Sequence, residues 1–169
     1  FGCENNIEKI NAITREPDYP VQTGYDVKLI YTDSTKLKTI IEAPEVHYYT
    51  FTEEPYYEFP KGFDIYMYDE FENEHYQITG NYGKALLEQN LWEARSNVIA
   101  LNVQTGEKLN TEQLFWDQEN QRIYSDKFTK ITNEDGVFYG EQGFESNESF
   151  TSWRLIGTKG TVNVDEETN

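Results

Sequence analysis

The chain has 169 residues and a formal charge of −17 at neutral pH, and aromatic residues make up 15 % of it. The length predicts one domain with room for a substantial core. The charge excludes a nucleic-acid partner, which needs clustered Lys and Arg, and no run approaches the roughly 20 apolar residues of a membrane span.

The bias toward Tyr and Phe predicts strands, because aromatic and β-branched side chains fit a pleated, half-buried surface. The only cysteine is Cys3, so no intramolecular disulfide is available. Phe1-Gly2-Cys3 resembles the end of a bacterial lipoprotein signal, in which a small residue precedes the cysteine that receives the lipid, so Cys3 is the expected lipidation site. Residues 1–20 read as a polar tether. Pro17 and Pro20 break it, and Ile7, Ile10, Ala12 and Ile13 allow one brief amphipathic helical turn.

A single domain is expected over residues 21–160. Its first strand runs from Tyr25 to Tyr31, with Val27 and Leu29 on one face, and Asp33-Ser34-Thr35-Lys36 turns the chain. Lys38 to Ala43 returns, Pro44 ends that strand or marks its edge, and Val46 to Phe51 continues. Pro55 and Pro60 bracket another short run. Phe63 to Tyr68 alternates, with Phe63, Ile65 and Met67 facing one way; an acidic turn over 69–73 leads into His75 to Thr79, and Gly80 and Gly83 predict bends or close backbone approach. Lys84 to Gln89 and Leu91 to Arg95 form a hairpin around Gln89-Asn90. The hairpins that end at Ala43 and at Gly80 are alike enough to form a weak internal repeat.

From residue 97 to 140 the pattern is a ladder of short strands and turns. Val98 and Ala100 share a face, Thr105-Gly106 turns, Leu109 to Trp116 follows, and Glu119-Asn120 turns again. Arg122 to Tyr124 and Phe128 to Thr132 come next, and Asn133 to Gly136 closes the series. Val137 to Phe144, a polar turn at Ser146 to Ser149, and a last strand from Thr151 to Ile156 complete the domain. Gly157 and Gly160 are expected to end that strand, leaving residues 161–169 as an acidic tail. The fold class is therefore all-β, with roughly a dozen antiparallel strands in a sandwich, jelly roll or rolled-up sheet.

Residues that carry chemistry are few. His47 and His75 each lie in a strand beside a tyrosine, without a second ligand at short spacing, and read as ordinary strand histidines. Glu112, Asp117, Asp126 and Glu141 lie near aromatics, but 31 acidic residues make such proximity unavoidable. The oxygen-rich stretches 69–74 and 133–135 lack the spacing of a calcium loop. No phosphate loop or serine-nucleophile motif is present. The chain is accordingly read as a non-enzyme, with no catalytic residue, metal or cofactor assigned. Trp92, Trp116 and Trp153 sit among alternating apolar residues and read as core; exposed, they would stack on sugars, which makes a carbohydrate-binding β-sandwich lipoprotein the alternative.

Four groups of residues, in order and spacing, carry a family resemblance. They are Tyr31-Thr32-Asp33-Ser34 with Ile41-Glu42-Ala43-Pro44-Glu45-Val46; Asn97-Val98 with Gly106, Leu109, Thr111-Glu112, Leu114 and Trp116-Asp117; Ile123-Tyr124-Ser125-Asp126; and Tyr139-Gly140 with Gly143-Phe144. From Tyr25 to Gly157 the chain resembles LptC, the periplasmic component of the lipopolysaccharide export bridge, and its OstA-like relatives. The resemblance implies an open, twisted β jelly roll. Lipopolysaccharide acyl chains pass between its two sheets while the sugars stay outside. It also implies an inner-membrane ABC transporter upstream and a homologous periplasmic protein downstream, joined edge to edge. Enteric members are held by a transmembrane helix, whereas Cys3 makes this a version anchored by lipid to the inner membrane.

On this reading the groove is lined by the inward alternates: Leu29, Ile41, Val46, Ile65, Ile78, Val98, Ala100, Leu114, Trp116, Phe128 and Phe138. Gly80, Gly83, Gly140 and Gly143 are expected to let the two sheets stay apart. The partner edges are Val27 and Leu29 toward the transporter, and Tyr139, Gly140, Trp153 and Leu155 toward the downstream protein.

Overall fold

The computed structural model describes residues 19–33, 36–148 and 150–162. The expectations for Cys3, for most of the tether and for the end of the acidic tail lie outside these residues. The described chain is all-β: twelve antiparallel strands in one sheet. They are β1 (Gln22–Asp33), β2 (Lys36–Tyr49), β3 (Tyr56–Phe59), β4 (Phe63–Tyr68), β5 (Glu74–Gly80), β6 (Tyr82–Leu86), β7 (Leu91–Asn102), β8 (Lys108–Asp117), β9 (Arg122–Ser125), β10 (Thr129–Asn133), β11 (Gly136–Asn147) and β12 (Trp153–Val162).

The sheet is a meander folded over along one line. Each long strand has one half in each of two layers. β2 pairs with β4 through Thr39–Glu42 and with β3 through His47–Tyr49. β7 pairs with β5 and β6 in the same way, as β8 does with β10 and β9 and β11 with β10 and β9. The pairs β3/β4, β5/β6 and β9/β10 are themselves bent strands interrupted at the fold line. β1 lies on one border, paired with β2, and β12 on the other, paired with β11; among the described residues neither has a partner on its outer side. The fold is thus an open β jelly roll.

Backbone irregularities gather at the fold line. Asp26, Ser96 and Asn97 take positive φ there, a conformation Asn and Asp tolerate better than most residues. The register slips between Arg95 and Val98 and between Gly140 and Gly143, as bulges do where a strand must bend. Side-chain alternation slips as well. In β8 the inward residues are Leu109 and Thr111 before the bend and Leu114 after it, with Glu112 exposed between. A one-residue slip reverses every following side chain, so this correction keeps both halves facing the interior.

Several strand boundaries differ from the expected ones, three of them with a clear local cause. β2 runs through Pro44, because the Asp26–Pro44 position is absent from the β1–β2 ladder and the missing N–H goes unused. The Val98–Ala100 run continues the strand that begins at Leu91, bent at Ser96-Asn97. β12 passes through Gly157 to Val162, two residues into the expected tail, because Gly157 adopts φ +69° and pairing resumes at Thr158 with Gly140.

The core lies between the layers. Phe59 is 2 % exposed; its ring meets that of Phe63 edge-on at 6.0 Å and stacks on Trp92 at 6.0 Å. Truncating Phe59 to Ala should destabilise the domain by about 3–5 kcal/mol, from lost transfer energy plus the cavity left behind; urea unfolding followed by tryptophan fluorescence measures it.

Turn chemistry adds a pH dependence. At the end of β8 the Asp117 carboxylate accepts hydrogen bonds from Asn120 Nδ2 (2.9 Å), Asn120 N (3.0 Å) and Arg122 Nε (3.2 Å), which hold its pKa below the usual carboxylate range. A carboxyl that titrates below its unfolded value of about 3.9 stabilises fully above that value, and the contribution is lost as pH falls through the folded pKa. Asp117→Asn should therefore flatten part of the fall in urea midpoint between about pH 5 and pH 2.

Candidate functional site: the space between the layers

Strand register assembles one continuous apolar row across the first layer. Leu29, Ile41, Ile65, Ile78, Ala100, Leu109, Ile131 and Phe138 are successive cross-strand partners from β1 to β11. Directly opposed residues share a face, so all eight side chains point to the interior. The second layer supplies the facing row: Tyr48, Tyr57, Ala85, Trp92, Trp116, Ile123, Ser146 and Trp153. Beside it lie Val46, Phe59, Leu114 and Phe144, all buried.

Burial varies along the rows. At the centre Ile65, Ile78, Ala100, Leu109 and Ile131 are buried, whereas at the β1 border Leu29 is 45 % and Tyr31 64 % exposed. At the other border Phe138, Trp153 and Leu155 are half-buried. Edge position explains the trend, because a border strand has a neighbour on one side only.

The central interior is packed rather than held apart, which corrects the expectation placed on the glycines. A Cβ on Gly83 would lie 2.8 Å from the Phe63 ring, so the absence of a side chain lets that ring rest on the β6 backbone. Gly140 and Gly143 flank the β11 bulge. A void beside Tyr76, Ala100, Leu109, Ile131, Phe144 and Phe150 is about 20 Å³. That is room for one water-sized body.

Polar groups within the interior satisfy one another. Asn102 Nδ2 donates to the Tyr76 hydroxyl (3.1 Å), and burial pushes that hydroxyl's pKa up. The Thr111 hydroxyl donates to Phe128 O (3.0 Å) and lies 3.2 Å from Ser125 Oγ. Trp116 Nε1 donates to Glu148 Oε1 (2.6 Å). The rest of the interior lining is accordingly apolar.

Of the sequence-derived lining residues, Leu29, Ile41, Ile65, Ile78, Ala100 and Phe138 fall on the first row, with Val98 one step nearer the fold line. Val46, Leu114 and Trp116 lie on the second layer's inner face. Phe128 does not belong with them. It is 54 % exposed in the β9–β10 bend and stacks at 5.8 Å on Tyr139, an outward partner of Lys130 and Lys159. Of the partner-edge residues, Val27 and Leu29 lie on β1, and Trp153 and Leu155 on β12; Tyr139 and Gly140 lie one strand in, on β11, paired on both sides and outside the border. Leu109, Ile131, Phe63, Trp92 and Phe144 were missed, although the same alternation points to the first two.

The histidines have local partners. His47, on the outer face, meets Glu45 Oε1 through Nε2 at 2.6 Å and lies near Glu58 and Tyr49 through Nδ1; His75 stacks on Tyr76. Asp69 Oδ1 accepts from Phe71 N (2.8 Å) and Asn73 N (2.9 Å), closing its own turn. Among the described residues no three His, Cys, Asp or Glu side chains converge as a metal ligand set, and no helix is long and apolar enough to cross a membrane.

A family model for LptC-related lipopolysaccharide assembly matches residues 4–163. The chain belongs to the LptC family. A comparison with curated proteins returned no match. LptC membership gives the chain a role in lipopolysaccharide transport.

The Gly83–Phe63 packing is directly testable. Gly83→Ala should cost about 1–3 kcal/mol through overpacking. Phe63→Leu in the same chain should recover part of that loss, a coupling that a double-mutant cycle in urea would read.

Proposed function

We propose that this LptC-family protein carries lipopolysaccharide by its acyl chains, held between the two layers while the sugars stay in solvent. The observation that carries the reading is the apolar interior row, buried at its centre and exposed toward an unpaired border. Each methylene moved from water into such a space contributes about 0.8 kcal/mol, so several acyl chains are held without a specific polar contact. The net charge of −17 opposes clasping of an anionic sugar-phosphate head and favours leaving it outside.

In this reading an inner-membrane ABC transporter delivers lipid at the β1 border. A homologous periplasmic protein receives it at the β12 border, by strand addition to the unpaired edge. A lipid on Cys3 anchors the chain to the inner membrane, facing the periplasm, and no chemical step is involved. The carbohydrate-binding alternative is weaker, because Trp92, Trp116 and Trp153 pack against the buried cluster rather than standing free as stacking platforms.

Photocrosslinking in cells tests the proposal. A benzophenone amino acid at Val98 or Ile78 should crosslink to lipopolysaccharide, and the same probe at outward Phe128 should not. Equal yields from all three sites, or glycan adducts without lipid at the interior sites, would count decisively against an acyl-chain carrier. A probe at Arg154 should instead trap the downstream protein.

A further inference from the structure

The two borders of the interior are not occluded alike. Near β1, Leu29 and Tyr31 remain exposed, whereas near β12 the space between the layers is filled by Phe150, which is 8 % exposed. Phe150 lies on the connection from β11 to β12. Its ring centroid is 4.9 Å from that of Tyr76, in the first layer, and 6.4 Å from that of Phe144, in the second. One side chain therefore bridges the two inner faces. The same connection is fastened inward at Glu148, which accepts the hydrogen bond from Trp116 Nε1, and Phe150 N donates to Asn147 O at 3.0 Å.

The backbone at Phe150 has φ +52°, a region that bulky side chains avoid. Such a conformation persists only where its surroundings impose it, and strain of this kind collects at functional sites. Here burial of the ring is the compensating interaction. The void beside it, about 20 Å³, is too small for an acyl chain to share the space.

We propose that Phe150 is a resident plug: in the empty protein its ring occupies a position between the layers that an acyl chain must take in order to cross toward β12. This rests on the lipid-carrier reading above. An internal occupant lowers apparent affinity by the fraction of molecules in which it has left the site, so Phe150 sets how readily lipid passes the β12 side without touching the sugars.

The test is equilibrium binding of purified lipopolysaccharide, and separately of cis-parinaric acid, to the full chain and to Phe150 variants whose fold is checked by far-UV circular dichroism. Phe150→Ala should bind both probes on the order of tenfold more tightly, and Phe150→Trp more weakly than the unchanged protein. Binding by Phe150→Ala alone would also support the plug. If the unchanged protein binds and neither variant alters affinity, the plug is overturned while the carrier reading stands. If no form binds either probe, the carrier reading falls and the plug with it. Should Phe150→Ala fail to fold, Phe150→Leu keeps a core side chain at the position; intermediate tightening supports the plug and unchanged affinity overturns it.

Discussion

The structure depends on one constraint: every strand must present apolar side chains to the same interior on both sides of a bend. A flat meander of this length would leave a large hydrophobic face in water, with two open edges. Folding the sheet over places that face against itself. The cost is paid in backbone regularity along one line, where Asp26, Ser96, Asn97 and Gly157 take positive φ and the β7–β8 and β11–β12 registers shift. Away from that line the register shifts only near two hairpin ends, at Tyr31–Thr32 and Met67–Tyr68, and the row from Leu29 to Phe138 crosses the first layer without a break.

Function follows from what this arrangement leaves unsatisfied. The centre is as tightly packed as an ordinary core, with Val98, Ile123 and Phe144 almost wholly buried, so on the proposed reading stability and lipid affinity would draw on the same apolar surface. The borders differ from the centre. β1 exposes Leu29, Ile30 and Tyr31, and cross-strand ion pairs such as Lys28–Glu42 and Lys159–Glu141 lie on its outward side and on that of β12. Exposed pairs of this kind contribute little to stability, though charge at an edge discourages indiscriminate pairing with other chains.

Much of this was legible in the sequence because strand alternation has a period of two and the turns carry their own signatures. Pro55 and Pro60 bracketed β3, Asp69 to Asn73 marked a hairpin, and Phe63, Ile65 and Met67 indicated which face of β4 was buried. The bends were not legible. Ser96-Asn97 and Asp26 adopt positive φ without a glycine to announce it, and Pro44 looked like a terminus because its vacant ladder position depends on β1 across the bend. Phe128 reads as inward only if the strand's apolar face starts with it; the buried alternates of β10 are Thr129 and Ile131, which leaves Phe128 in phase with outward Lys130. Phe150 gave no signal, since it follows a polar turn and its ring is covered in part by Tyr76, which lies far away in sequence. The glycines were read as spacers, but a glycine that holds sheets apart and one that admits a neighbouring ring look the same until the ring is located.

The meander has a further consequence, for how the chain assembles. Each bent strand is hydrogen-bonded to the one before it and the one after it in sequence, so no ladder waits for a distant segment to arrive. Loop closure, the usual kinetic obstacle for β proteins, reduces here to a series of local hairpins. The domain is therefore built to zip up progressively from one border to the other. Among the described residues, the first and last strands are the two whose outer hydrogen bonds are left over.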